Sequence, residues 1–573
     1  MAWNSRQWRD GWRAVAVLVV GLALGACGGG GSSGGGASGS PAPTPGPTPP
    51  PVSTLEAARF LNQASFGATE GESQKLQALG DSSNAYARWI DAQLAQPASL
   101  QLPAVQLAYT QLANPIQMMG QLHGDRQETW LRHAVTGPDQ LRQRVAFALS
   151  EIMVVSQQGA LGVMPFATAD YHDLLTLNAL GDFRTLLQEV TLHPAMGVYL
   201  SMLGNQKPDP ARNIRPDENY ARELMQLFTI GLVELNRDGT PRLDGAGQPI
   251  PTYDQAVIEG FAHVFTGWNY AGAASFAQAR RTLQNQVLPM QAYAEQHDTG
   301  PKRLLAYAGA AKPTLPAGQS QQQDLADALD NLFNHPNVPP FIGRQLIQRL
   351  VTSNPSPAYV ERVARVFEND GSGRRGNLAA VVRAILLDAE ARSASGASAG
   401  KLKEPLLRLT QFWRAYDAKA ANGQYRSVNL SVSLGQAPLA APSVFNFFSP
   451  GYAPSGEIAN AGQVAPELQI ATEYQNTQVT NLFYQQAFLR HSATPGLPEN
   501  AVVIDITAEL ALAGDPEALV NRVVAKLLAG QVSATLTAEA RAAVERVPAS
   551  SAAQRVSEAI YLIVTSPEYA LQR

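Results

Sequence analysis

The stretch RPDENYARELMQLFTIG, Arg215 to Gly231, decides how the rest of the chain is read. At about 100° per residue, Tyr220, Ala221, Leu224, Met225, Leu227 and Phe228 fall on one broad arc, and Glu218, Asn219, Arg222, Glu223 and Gln226 on the other. A helix is predicted, with Pro216 at a first helical position and Asp217 and Glu218 where the helix dipole favours negative charge. Ile230 falls inside the polar arc, so that arc is expected to be only partly wet. Its charges admit two readings: a solvated face laced by i,i+4 pairs such as Glu218 with Arg222, or a set of functional groups.

The same 3.6-residue period recurs outward from this stretch. Gln140 to Ser156, QLRQRVAFALSEIMVVS, places Leu141, Val145, Leu149 and Ile152 on one face, with Asp139 as the expected cap. Helices are also predicted over 171–180, 183–192, 255–265, 323–334, 341–350, 358–368, 378–387 and 405–416. Hairpin-like pieces are expected only around Leu232 to Ile250, where Arg237-Asp238-Gly239 and Asp244-Gly245 supply turn chemistry. The fold class is therefore mainly α: a multi-helix globular body of packed helical hairpins with few short strands. It begins near Ser53, where Ser53-Thr54-Leu55-Glu56 has the form of a capping box. The length suits one body over 53–573 or two lobes divided near 310–340. Phe341 to Arg392 and Leu519 to Arg573 each read as three helices, either a degenerate repeat or an ordinary likeness between amphipathic helices.

Ahead of this body, Arg6, Arg9 and Arg13 precede an apolar run from Ala14 to Leu24 that is too short for a membrane-spanning helix and suits the core of a secretory signal over residues 1–26. The run ends in Leu24-Gly25-Ala26-Cys27, which resembles the lipobox of bacterial lipoproteins. That resemblance implies cleavage before Cys27, lipidation of Cys27, and the membrane as a partner through the lipid. In a diderm host, Gly28 rather than Asp after the cysteine points to the outer membrane. Gly28 to Pro51 is rich in Gly, Ser and Pro, so residues 27–52 are expected to be a disordered tether. Cleavage would remove three arginines and Asp10 and move the formal charge from −4 to −6. With 16% charged residues and no basic surplus, a nucleic-acid partner is not expected. A single cysteine excludes an intrachain disulfide and the Cys-rich zinc patterns.

Several blocks add up to a family resemblance. TGPDQLRQRVAFALSEIMVVS (136–156), HPAMGVYL (193–200), DENYARELMQLFTIGL (217–232), YDQAVIEGFAHVFTGW (253–268) and HDTGPKRLL (297–305) are similar to the bacterial family filed as domain of unknown function 1800. So are FIGRQLIQRLVTSNPSPAYVERVARVF, KEPLLRLTQFWRA and LGQAPLAAPSVFNFFSPGY. The resemblance covers nearly all of the chain after the tether. It implies a large helical exported protein, encoded beside another exported protein that is a candidate partner, and it implies no particular reaction. The chain departs from the family at Phe228, where many members carry histidine, and at His263, where arginine is common. A phenylalanine can neither bind a metal nor move a proton.

No HExxH, P-loop, G-x-S-x-G or C-x-x-C pattern occurs in the folded region, which removes standard zinc proteases, P-loop enzymes and α/β hydrolases. The candidate catalytic residues are Glu223, Glu218, His297 and Asp298, and the candidate binding residues are Asn219, Arg222, Lys302 and Trp268. Carboxylates with an imidazole can hold a divalent metal ion, here through Glu223 and His297, or act as an acid and base pair. In the competing reading, Glu223 and Arg222 tie the His297 loop in place and do no chemistry. His193-Pro194 is read as a helix cap. The aromatic segment Ala441 to Gly456 is either a recognition platform or loop packing. Two functions follow: a lipid-anchored envelope scaffold or binding protein, or an envelope enzyme, metal-dependent hydrolases included.

Overall fold

Ser53 opens the first helix by a reciprocal cap. Its Oγ accepts from the Glu56 amide at 3.2 Å, and the Glu56 carboxylate accepts from the Ser53 amide at 2.9 Å. Two donors left free at a helix start are thereby satisfied. The helix Thr54–Ala64 follows. The computed structural model describes residues 50–114, 118–393, 399–426 and 428–572. The leader, Cys27 and the tether as far as residue 49 lie outside the described residues. Pro51 and Val52, assigned above to the tether, lie inside them: Pro51 bridges to Asp81 and Val52 is buried. The folded body therefore starts slightly before Ser53.

Twenty-five α-helices and six two-residue strands form the regular structure of the described residues. The protein is all-α, and the strands only pin loops together in three antiparallel pairs. The predicted helices are present as Pro165–Asn178, Phe183–Leu192, Gln255–Val264, Gln321–Phe333, Val338–Leu350, Pro357–Glu368, Leu378–Leu387 and Pro405–Ala415. Around Leu232 to Ile250 the chain forms isolated antiparallel bridges rather than strands, Val233 to Pro251, Leu235 to Pro241 and Leu243 to Pro249. Among the described residues, no helix is long and apolar enough to cross a membrane.

Two helix ends differ from expectation, each for a local reason. The helix predicted over 140–156 stops at Ser150, because the Glu151 carbonyl is taken by the Arg349 guanidinium at 2.9 Å. Asp139 precedes it without capping it, since its carboxylate is already occupied by Ser99 N, Ser99 Oγ and Gln143 Nε2 at 2.9, 2.7 and 3.0 Å. The helix that opened the sequence reading runs from Asn219 to Gln226, so Pro216 lies outside it. Asn205 holds the approach instead: its Oδ1 accepts from Asp217 N at 2.8 Å, and Asp217 Oδ1 then accepts from Asn219 N at 2.8 Å.

Apolar side chains collect into two large clusters. The first takes Val52 to Ile90, Leu141 to Ala391 with few exceptions, and Leu439 and Ala529. The second takes Phe66, Trp130 to Val135, Phe147 and the helices from Leu406 to Tyr569. Residues 310–340 lie within the first cluster, through Leu315, Leu325, Leu329, Leu332 and Val338. Along the chain, the first cluster gives way to the second between Ala391 and Leu406.

The two three-helix stretches correspond closely. Val338–Leu350, Pro357–Glu368 and Leu378–Leu387 are followed by the one-turn helix Ala389–Arg392, and Pro516–Leu528, Ala534–Arg546 and Ala552–Val564 by Pro567–Ala570. In each, the serine that caps the second helix is held by a glutamate of the final turn. Ser356 donates its N–H and Oγ–H to Glu390 at 2.9 and 2.5 Å, and Ser533 does the same to Glu568 at 2.8 and 2.5 Å. The strands that follow the two units, Lys401–Leu402 and Leu571–Gln572, pair with each other. A lock repeated at corresponding positions favours the repeat over coincidence.

Candidate functional site

On the Asn219–Gln226 helix the apolar arc is buried as its period requires: Tyr220, Ala221, Leu224 and Met225 are all inside. The polar arc divides. Asn219 is exposed. Glu218 and Arg222 form an i,i+4 pair at 3.1 Å with side chains 34% and 41% exposed, and Gln255 Nε2 donates to Glu218 at 2.9 Å. Glu223 is buried, and its Oε2 makes no hydrogen bond. Burial raises its carboxyl above the usual range against the opposing pull of Arg222. Two tyrosines feel its charge. Tyr199 and Tyr253 are each pushed up to about 12, chiefly by burial, with Glu223 adding to both. The Tyr253 hydroxyl also lacks a hydrogen-bond partner.

The His297 loop is held by other groups. Helix Gln255–Val264 runs into Thr266 and Gly267, and Gly267 has φ +83° with a would-be Cβ 2.9 Å from both His297 N and Tyr293 O. Only glycine lets the loop lie so close. Thr266 Oγ1 accepts from Asp298 N at 2.9 Å. His297 Nδ1 faces Thr266 O at 3.2 Å and its Nε2 faces Asp324 Oδ2 at 3.0 Å. Both ring nitrogens are therefore occupied, leaving neither free for a metal. Lys302 Nζ reaches the same Asp324 oxygen at 2.6 Å and donates to the carbonyls of Asp298 and Gly300 at 2.6 and 2.9 Å. His297, Lys302 and Asp324 are 3%, 3% and 0% exposed. This is a closed buried node, tied by Asp324 and Thr266 rather than by Glu223 and Arg222.

Asp298 turns the other way, to the half-buried His263 ring, and accepts from Gly300 N at 2.8 Å. The bond from His263 holds its carboxyl down to about 2. His263, the departure from the family pattern, thus has a specific partner. Trp268 packs into the first core with its indole N–H unpaired. The structure joins His297 to Lys302, Asp298 to His263 and Glu218 to Arg222, while Glu223 stands among tyrosines. Among the described residues, no group of three or more His, Cys, Asp or Glu side chains is placed to hold a metal ion.

His193 caps Pro194–Tyr199 as read, with Nδ1 accepting from Ala195 N at 3.0 Å and Nε2 facing Asp170 at 3.1 Å. The aromatic segment is divided, with Phe448 buried and Phe445 exposed.

The largest polar assembly was missed by the sequence reading. Arg144, Glu151, Arg349, Lys401, Glu404 and Glu467 are each at most 4% exposed and lie together between the two cores. Lys401 Nζ is 3.0 Å from Glu467 and 3.5 Å from Glu404 and donates to Arg349 O at 3.0 Å. Arg144 also donates to Arg349 O, at 2.6 Å, and Gln436 Nε2 donates to Glu404 at 2.6 Å. Burial, reinforced by Glu404, raises Glu151 well above the carboxylate range. Glu404 meets the same burial, but Lys401, a bond to Glu151 and Arg144 hold it low. Arg144, Glu151, Arg349 and Glu404 sit in three of the blocks that carry the family resemblance, and Lys401 and Glu467 lie outside them. Charged residues within otherwise apolar helical blocks were the signal that could have found them.

Fold and site together define an all-α protein in which two groups of charged residues, around Asp324 and around Glu404, form buried, mutually paired nodes. The family model described as "Protein of unknown function (DUF1800)" matches residues 59–571, and the chain belongs to that family. No curated protein and no solved structure matches it.

Proposed function

We propose that the protein is exported, held at the cell envelope through lipid on Cys27, and acts there as a helical scaffold or binding protein. The observation that supports a scaffold over an active site at Glu223 and His297 is the closed His297–Asp324–Lys302 node. Groups that would have to converge on a substrate and be reachable from solvent are spent on one another inside the core. The exported protein that the family resemblance places beside it is the first partner to test, by co-purification. The anchor rests on the Leu24-Gly25-Ala26-Cys27 sequence and the tether after it. Fractionation of Cys27→Ser tests it: the variant should leave the membrane fraction or stay uncleaved, and a membrane-bound variant of unchanged mature mass overturns the anchor. Lipid chains supply the attachment because each buried methylene contributes about 0.8 kcal/mol.

A second reading, an envelope enzyme, has one observation in its favour: the buried Glu223 Oε2 and the Tyr253 hydroxyl are both without hydrogen-bond partners among the described residues. Glu223→Gln separates the readings. A folded-state carboxyl raised by burial disfavours the fold once ionised, so wild-type stability falls as pH rises through that raised value. If Glu223 is only structural, the glutamine variant is at least as stable at pH 7, and the difference closes as pH falls below about 4.5. Loss of bound metal or of a hydrolytic activity in that variant, with its melting temperature unchanged, would favour the enzyme.

A further inference from the structure

A cleft at the end of the second three-helix unit is lined by Lys403, Gln411, Arg59, Gln531, Glu568 and Gln572, among others, and opens to solvent. Lys403 is 5% exposed. Its Nζ donates to Gln411 Oε1 at 2.7 Å and lies 3.8 Å from the centre of the Tyr569 ring. No carboxylate among the described residues is within ion-pair distance of it. Glu568, across the cleft, has both oxygens engaged by Ser533. Arg408, on the helix that Lys403 precedes, adds a like charge. The other two buried lysines differ in kind: Lys302 has Asp324, and Lys401 has Glu404 and Glu467. A lysine kept for structure is given a counter-ion in this protein, whereas Lys403 is given a cleft.

We propose that Lys403 is a nucleophilic amine that captures a small hydrophilic aldehyde or ketone in this cleft as a reversible imine. The amine nitrogen attacks the carbonyl carbon, and a C–N bond forms while the C=O π bond breaks. The two amine hydrogens then leave with the carbonyl oxygen as water, giving C=N without any oxidant or reductant. The polar lining, which includes the part-exposed Gln531, suits a hydroxylated carbonyl compound. Burial, with Arg408 adding to it, holds the Lys403 amine well below the usual lysine range. Each unit of depression gives about tenfold more free amine at neutral pH.

The test uses the purified full chain with glyceraldehyde and sodium cyanoborohydride at pH 7, followed by peptide mapping. The chain has eight lysines, so every site can be read. Lys403 should be labelled about tenfold faster than the exposed Lys75, Lys207 and Lys419. Labelling of Lys403 no faster than these three overturns the proposal, and this comparison needs no variant. Gln411→Glu supplies the missing counter-ion and should cut labelling at Lys403 about tenfold while leaving the exposed lysines unchanged. Undiminished labelling of Lys403 in that variant also counts against it.

Discussion

Lys401 and Lys403 stand two residues apart, both buried, and their surroundings are opposite. Lys401 enters the junction of the two cores and meets two carboxylates, while Lys403 meets an amide oxygen, an aromatic face and an open cleft. The difference teaches that in this fold the burial of a charge says little about its role. What decides is whether a distant segment delivers a counter-ion. Glu467 does so for Lys401, and among the described residues no segment does so for Lys403.

The largest expected effect tests that contrast directly. Lys401→Met leaves Glu404 and Glu467 buried beside each other without their shared cation, and should destabilise by about 3–5 kcal/mol in denaturant unfolding. Lys403→Met removes a buried amine with no counter-ion to orphan, and should cost less than about 1 kcal/mol at pH 7. An amine depressed in the folded state makes wild-type stability rise with pH toward its ordinary value, so any advantage of Lys403→Met should shrink as pH climbs toward 10.5. Equal losses from the two variants would break the comparison.

The intermediate case is Lys302, with one carboxylate. Asp324→Asn removes the negative charge that Lys302 and His297 share, leaving Lys302 only neutral oxygens, the carbonyls of Asp298 and Gly300 among them. A loss of about 3 kcal/mol is expected, measured in the same way. A much smaller loss would mean that the carbonyls suffice, and would weaken the counter-ion argument for Lys401 as well.

How far these nodes could be seen in advance depends on the kind of signal. The helices were legible because burial of one face imposes a period that Leu141, Val145 and Leu149 display openly, and because caps such as Ser53 with Glu56 are local. Helix ends set by distant side chains, Ser150 by Arg349 and Asn219 by Asn205, were not. The candidate residues Glu218, Arg222, His297 and Lys302 were recognised as unusual, yet their pairing was legible only for Glu218 with Arg222, one helical turn apart. Asp324 lies 27 residues beyond His297 in an unremarkable QQQD turn. A polar arc also reads the same whether it is wet or buried, which is why Glu223 and Arg222, adjacent in sequence, could not be told apart.

Asp298 sharpens the comparison at lower burial. Its carboxyl is held at about 2 by His263, below the ordinary 3.8, so it contributes stability that is present above about pH 4 and lost as pH falls through 2. With the side chain still 18% exposed, solvent screening reduces the gain, and Asp298→Asn should cost about 1 kcal/mol at pH 7. The cost should disappear near pH 2. A cost that does not change with pH would assign the effect to the neutral hydrogen bond from Gly300 N rather than to charge.

The smallest effect is expected at the helix where the sequence reading began. Arg222 is 41% exposed and, among the described residues, pairs only with Glu218, itself 34% exposed, across one turn. Exposed i,i+4 pairs contribute about 0.3–0.5 kcal/mol, because water already solvates both ions and salt screens what remains. Arg222→Ala should therefore change stability by no more than about 0.5 kcal/mol, and the change should vanish in 1 M salt, where the screening length falls to about 3 Å. Gln255 keeps its bond to Glu218 in the variant, so the contact between the two helices is not lost with the arginine. Arg222 is also the one charge that draws the raised Glu223 carboxyl downward, so its removal should push Glu223 higher still. A loss above about 2 kcal/mol that persists in salt would mean that Arg222 serves the buried Glu223 rather than its exposed neighbour, and the polar arc would then belong with the counter-ion nodes of the core.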